Sequence, residues 1–266
     1  MERVASYLRH DFPGVRGWCA AHLWQLIQPI DAFQRKQGVV APVAEIGVFQ
    51  GKFFIGLMKT KSVPGNLGLD VFEKQEFNLD LAGSGDHAAF ARNIVACGET
   101  VDDVEILHRD SLSITDVDIL NILDRRHDGF SLFSVDGCHR VEHTINDIEL
   151  AMRLTHPTGV IFVDDYYNAA WPGVQEGVAK LYLSSAPRFV PLAYSGNKLF
   201  LCHISYHDRM RRHVADFLRT EFPRTKVKDV VRFGYDCLNV GPDLTDAPVS
   251  HALWEATTPE KALVPA

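Results

Sequence analysis

Apolar positions change their period repeatedly along this chain, and each change marks an element. Over residues 16–36, Leu23, Ile27, Ile30 and Phe33 recur at helical spacing, with Pro29 placed to kink or split the helix. From residue 41 short apolar runs alternate with helical patterns. APVAEIGV (41–48), GNLGLDVF (65–72), VEILHRD (104–110), GFSLFSVD (129–136) and TGVIFVDD (158–165) read as strands. GKFFIGLMK (51–59), DHAAFARNIVACG (86–98), SITDVDILNILD (113–124), VEHTINDIELAMRL (141–154) and GVQEGVAKLYLS (173–184) read as the helices between them. FVPLAYSGNKLFLCH (189–203) reads as two strands joined around Ser195-Gly196-Asn197, a hairpin signal. The pattern predicts an α/β fold: a Rossmann-like, doubly wound, mostly parallel seven-stranded sheet closed by an antiparallel terminal hairpin.

Beyond the hairpin, YHDRMRRHVADFLRTEF (206–222) carries Met210, Val214, Phe217 and Leu218 on one face, a packing face, with Arg209, Arg211 and Arg212 on a solvated one. VVRFGYDCLNV (230–240) reads as a further strand or edge extension, and 242–266 as an arm. Three regions follow: an N-terminal helical cap (1–40), a core (41–203), and a C-terminal helix, strand and arm extension (204–266).

Composition narrows the function classes. The 266 residues are 46% apolar and 23% charged, enough for one large domain. Acidic side chains number 34 against 27 basic, a formal charge of −7. That balance, without a basic stripe, disfavours a nucleic-acid partner and favours a small-molecule one. Cys19, Cys97, Cys138, Cys202 and Cys237 are scattered and show no CxxC pair, which argues against a disulfide framework or structural zinc. The start lacks the apolar segment of a secretory signal, and no apolar run reaches the ~18 residues of a membrane span. A cytoplasmic protein without membrane attachment is expected.

In doubly wound sheets, ligands bind beyond the carboxyl ends of the strands. The first strand ends in Glu45-Ile-Gly47-Val-Phe-Gln-Gly51, spaced E-x-G-x-x-x-G. The dinucleotide fingerprint has a glycine where Phe49 stands, so backbone approach to a pyrophosphate is blocked and a nicotinamide dehydrogenase is disfavoured. A nucleoside without a pyrophosphate suits the loop, although a plain glycine turn accounts for it too. The second strand ends at Asp70, a place where an acid commonly holds ribose hydroxyls. The third ends at Asp110-Ser111, able to reach a purine or to cap the next helix. The fourth and fifth end in Asp136-Gly137-Cys138-His139 and Asp164-Asp165. If those strands are neighbours, their tips lie roughly 5 Å apart. Three carboxylates so close repel unless a cation joins them, and oxygen donors suit Mg²⁺, or Mn²⁺ in its place. The competing readings are a turn cap for Asp164-Asp165, a locally bonded helix-start residue for His139, and an ordinary surface position for His143. AGSGDH (82–87) is either a mobile lid or an exposed loop.

The order E-x-G-x-x-x-G, Asp70-Val-Phe, Asp136-Gly-Cys-His139, Val163-Asp164-Asp165-Tyr166, Pro172-Gly173-Val174 resembles class I S-adenosylmethionine-dependent methyltransferases. More narrowly it is similar to the metal-dependent sugar O-methyltransferases of the macrocin and mycinamicin type, over about residues 40 to 202. The resemblance implies cofactor binding by Glu45, Gly47, Gly51 and Asp70; Asp110, Ser111 and Asp136, at neighbouring strand ends, are counted with them as candidate cofactor-binding residues. It implies metal ligation by Asp136, Asp164 and Asp165, and a general base at His139. The implied activity is methyl transfer from S-adenosyl-L-methionine to a hydroxyl of a small molecule, a sugar in a glycoside or polysaccharide, with Mg²⁺ or Mn²⁺, in a homo-oligomer. A metal-independent methyltransferase of the same fold, an antibiotic-tailoring hydroxylase-like relative and a non-catalytic nucleoside-binding regulator are the alternatives.

Overall fold

The computed structural model describes residues 2–126 and 128–241. Helix α1 (Glu2–His10) and α2 (Trp24–Lys36) precede an alternating core: β1 (Val43–Ile46), α3 (Lys52–Lys61), β2 (Asn66–Asp70), α4 (His87–Ala96), β3 (Val104–His108), α5 (Asp116–Asp124), β4 (Phe130–Val135), α6 (Val141–Leu154), β5 (Thr155–Val163) and α7 (Pro172–Ser184). The chain then forms β6 (Phe189–Ser195), β7 (Lys198–His203), α8 (His207–Glu221), β8 (Lys226–Arg232) and β9 (Tyr235–Gly241). All strands join one sheet in the order β3-β2-β1-β4-β5-β7-β6-β9-β8.

The five strands β3, β2, β1, β4 and β5 are parallel, and β7 runs antiparallel between β5 and β6. Strand order reverses at β1, whose neighbours are β2 and β4. This is the doubly wound fold the alternation predicts, with its switch point at the tips of β1 and β4. The sheet has nine strands among the described residues rather than the expected seven. The segment read as one strand over 230–240 is a hairpin: Phe233 (φ 51) and Gly234 (φ 85) form its two-residue loop, the pair of positive φ angles that a type I′ turn requires. Strand β9 docks parallel on β6 and carries β8 to the edge.

Side chains alternate across the sheet, so each face has its own core. Val160 and Phe162 of β5, with Phe200 of β7, pack toward α2, α3 and α8. Ile161, Val163, Leu199 and Leu201 pack with Ile148, Leu154, Val178 and Leu181 on the other face. Helix ends follow local chemistry: Thr115 and Asp118 make a capping box at α5, and Asp86 caps α4. The helix expected from residue 16 begins only at Trp24, because Gly17 (φ 148) interrupts the preceding stretch. It continues through Pro29 unbroken. Proline removes a single intrahelical bond, and Leu26, Ile27, Ile30 and Phe33 hold both flanking turns in the core. No helix among the described residues is long and apolar enough to cross a membrane. The expected arm, 242–266, lies outside the described residues.

Candidate active site

Backbone hydrogen bonds set the strand tips in a row. Gly47 donates to the Leu69 carbonyl (2.8 Å), Asp136 to Ile46 (2.8 Å) and Asp164 to Val135 (2.9 Å). Val135 pairs with Val163 across β4 and β5, so Asp136 and the Asp164-Asp165 pair emerge side by side. A cavity of about 840 Å³ opens above these tips. Its walls include the strand ends, Gly17–Ala20 of the N-terminal segment, the 75–85 loop and the hairpin turn Gly196–Lys198.

Gly47 lines the cavity at φ 81, and a Cβ there would lie 1.8 Å from the Asp136 carbonyl oxygen. Only glycine admits that approach. Asp70 lines it too, its two oxygens accepting from the backbone N–H of Phe49 (2.8 Å) and Phe72 (2.7 Å). It thereby ties the loops after β1 and β2 together, while burial raises its pKa. Asp110 and Ser111 line the same cavity; Asp110 accepts from Leu112 N–H at 3.0 Å. Glu45 and Gly51 do not reach the wall. Gly51 (φ 89) starts α3 against the Phe90 ring. Glu45 is buried below the floor, where burial, tempered by Lys198 and Ser134, pushes its pKa up to about 8.

His139 is the most constrained side chain. Its backbone N–H and its Nδ1 both meet Asp80 Oδ2, at 2.6 and 2.7 Å. Its ring stacks on Trp171 at 4.4 Å and 15°. Nε2 lies 2.9 Å from Asp165 Oδ2 and 4.0 Å from Asp136 Oδ1. Burial alone would lower the imidazole pKa, but Asp165, Asp80 and Asp136 outweigh it and raise it to about 10. The Asp80 carboxyl is correspondingly held well below the usual range: burial opposes this, and His139 prevails. Burial and the neighbouring Asp164 push Asp136 well up. Asp165 sits at φ 54, a strained left-handed conformation for a non-glycine. Its Oδ1 accepts from the amides of Asn168 (2.9 Å) and Asn197.

Donor atoms of Asp136, His139 and Asp165 lie within 4.8 Å of one another. Two crowded carboxylates beside an imidazole fit a divalent cation. Asp164 lines the cavity too but is not among those converging donors: its Oδ2 accepts from the Lys198 ammonium, and its Oδ1 from the backbone N–H of Asp165 at 2.8 Å. His143 is not a surface residue. It is 4% exposed on the first turn of α6, lines the cavity, and both ring nitrogens lack a hydrogen-bond partner among the described residues.

Sequence reasoning passed over Asp80, Trp171, Asn197 and Lys198. The available signal for Lys198 was a lysine opening the apolar strand KLFLCH, where a buried charge needs a partner. Asp80 offered none, because it meets His139 from 59 positions away through an irregular loop.

Residues 44–166 match the family model described as a methyltransferase domain. An uncharacterized protein of Acanthamoeba polyphaga mimivirus is 28% identical over 138 residues, covering 52% of this chain. The chain spans only 57% of that relative's length. Among solved structures, the O-methyltransferase NovP superposes with a TM-score of 0.52 at 14% identity, over 74% of this chain and 88% of NovP. At that identity the likeness speaks for the fold. The sheet order, its switch point and the matched segment liken residues 44–166 to a methyltransferase domain. In these features the chain resembles S-adenosylmethionine-dependent methyltransferases.

Proposed function

We propose that this protein is an S-adenosyl-L-methionine-dependent O-methyltransferase acting on a hydroxyl of a small molecule, a sugar in a glycoside natural product or a polysaccharide, with a divalent cation (Mg²⁺ or Mn²⁺) and His139 as general base. One observation carries the reading: Asp80 fixes Nδ1 of His139, leaving Nε2 beside Asp136 and Asp165 at the cavity. The cofactor would supply an activated methyl group on a sulfonium, bound over Gly47 with Asp70, Asp110 and Ser111 around its nucleoside. A cation held by Asp136 and Asp165 would lower the pKa of an acceptor hydroxyl.

The chain's own residues account for the rest. Trp171 and Asp80 hold the imidazole in one plane and one tautomer. Nε2 would take the acceptor's hydroxyl proton; the cofactor would supply the methyl group, its sulfur keeping the electron pair of the broken carbon–sulfur bond. General-base catalysis of this kind is worth about 10²–10⁴ in rate. Metal-free, the carboxylates keep Nε2 protonated at neutral pH, the wrong state for a base. Charge compensation at Asp136 and Asp165 removes that pull, so base function and cation binding are linked. The N-terminal segment contributes Gly17–Ala20 to the wall and is assigned to acceptor selection; the homo-oligomeric, cytoplasmic setting belongs to the same reading.

Calorimetric binding of S-adenosylhomocysteine, with and without Mg²⁺, tests the proposal. Micromolar binding supports it. Folded protein that ignores the nucleoside would move a non-catalytic role to the front.

A further inference from the structure

Lys198 opens β7 directly after the hairpin turn, and its side chain is 3% exposed. Its ammonium donates to Asp164 Oδ2 and lies 4.5 Å from the centroid of the Phe53 ring. The preceding residue, Asn197, donates its amide to Asp165 Oδ1. One short turn thus delivers a charge to the first aspartate of the pair and a neutral donor to the second. The remaining oxygen of Asp164 accepts from the Asp165 backbone, so both of its oxygens are engaged. The cluster whose donor atoms converge consists of Asp136, His139 and Asp165, without Asp164. His139 Nε2 is buried at that cluster, 2.9 Å from Asp165 Oδ2 but without an aligned hydrogen bond.

We propose that Lys198 is a resident cation that withdraws Asp164 from the metal shell, so that a divalent ion at this site is held by Asp136 and Asp165 with His139 alongside. The inference rests on the methyltransferase reading only for the presence of a divalent ion. Charge balance supports it: one ammonium neutralises Asp164, and one divalent cation neutralises Asp136 and Asp165. For Asp164 Oδ2 to ligate the ion, its buried pair with Lys198 would have to break and cost the ammonium its hydrogen-bonded carboxylate, which buried charges resist. The pair therefore acts as an electrostatic spacer that sets how many carboxylates the ion receives, and through that how strongly it is bound.

The test uses the full chain without cofactor or acceptor and reads Mn²⁺ binding by calorimetry and electron paramagnetic resonance. The Lys198→Met/Asp164→Asn double variant removes the pair without changing net charge. It should keep the wild-type Kd within about threefold, whereas Asp136→Asn should lose more than about tenfold, the scale of losing support at a metal site. Lys198→Met alone frees a carboxylate and should tighten Mn²⁺ binding. A loss beyond about tenfold in the double variant would make Asp164 a ligand and overturn the proposal, as would wild-type protein that binds no Mn²⁺ at millimolar concentration. If the variants fail to fold by circular dichroism, the wild type still decides. The ¹⁵N resonance of the Lys198 ammonium should stay in place on saturation with Mg²⁺; its displacement refutes the spacer role. S-adenosylhomocysteine binding, measured separately, reads the methyltransferase assignment, so failure of one does not pass for failure of the other.

Discussion

Replacing Asp80 by asparagine tests whether the His139 imidazole is governed by the loop that reaches over it. In the wild type, one carboxylate oxygen sits 2.7 Å from Nδ1 and 2.6 Å from the backbone nitrogen of the same residue. Asparagine keeps an acceptor there and removes its charge. A hydrogen bond to a charged group is worth roughly 1.5–3 kcal/mol and a neutral one about 0.5–1.5. The difference of about 1–1.5 kcal/mol corresponds to about one pKa unit. An imidazole near 10 should therefore fall by about one unit in Asp80→Asn. The shift also fixes a stability window. The unfolded imidazole titrates near ~6.5, and the folded one is raised to about 10. The pair's contribution is complete below the unfolded value and disappears as pH rises through the folded one. The variant's stability deficit should accordingly be largest near pH 6 and vanish above pH 10, as measured by denaturant unfolding. The depressed Asp80 carboxyl expresses the same interaction from its other partner and adds no second increment. The assay is a ¹³C- and ¹⁵N-detected titration of His139 in metal-free protein. A wild-type value near 6.5, or a variant value unchanged, would refute the reasoning.

Two further substitutions probe the strand tips. Gly47→Ala places a Cβ 1.8 Å from the Asp136 carbonyl at φ 81, so the left-handed strain alone, about 1–3 kcal/mol, should lower the melting temperature and abolish S-adenosylhomocysteine binding; an unchanged melting curve would contradict the packing described. Glu45 has its folded pKa raised to about 8 by burial, so wild-type stability should decline as pH rises from about 4.5 to 8, where only the unfolded state releases the proton. Glu45→Gln should flatten that decline in denaturant titrations, and an identical pH slope in both proteins would rule out the assignment.

Much of the fold was legible because parallel strands buried on both faces read as continuous apolar runs between amphipathic helices, as in FSLFSV and GVIFV. The α6 boundaries follow directly from its periodicity, and the 195–198 turn from its glycine. The β8–β9 hairpin was missed because its turn is Phe233-Gly234, without the asparagine or aspartate that usually announces positive φ. At the site, strand ends predicted which carboxylates gather, since sheet adjacency follows from topology. What they could not predict is how those carboxylates divide. Asp164 and Asp165 are consecutive, yet one faces Lys198 and the other His139. That choice depends on side chains from the hairpin and the 75–85 loop, distant in sequence and irregular in period.

The C-terminal extension reaches this division as well. Arg232, the last residue of β8, lays its guanidinium 4.8 Å from the Tyr167 ring centroid, 5.6 Å from Tyr194 and 5.7 Å from Tyr166, and donates to the Tyr167 hydroxyl. Tyr166 directly follows the strained Asp165, and its backbone N–H donates to Asn197 at 3.0 Å, the residue whose amide holds Asp165 Oδ1. An added hairpin at the far side of the sheet thus clamps the segment that presents the carboxylate. Cation–π contacts of a partly exposed arginine are worth about 0.5–1 kcal/mol, rising to about 2 when desolvated. Arg232→Ala should cost about 1–2 kcal/mol of stability and weaken Mn²⁺ binding severalfold while leaving S-adenosylhomocysteine binding intact, because Gly47 and Asp70 lie across the cavity on other strands. Arg232→Lys retains the charge but loses the planar stacking, and should recover only part of the loss. If Arg232→Ala lowers stability without changing Mn²⁺ affinity, the hairpin braces the sheet edge alone and the link to Asp165 is broken.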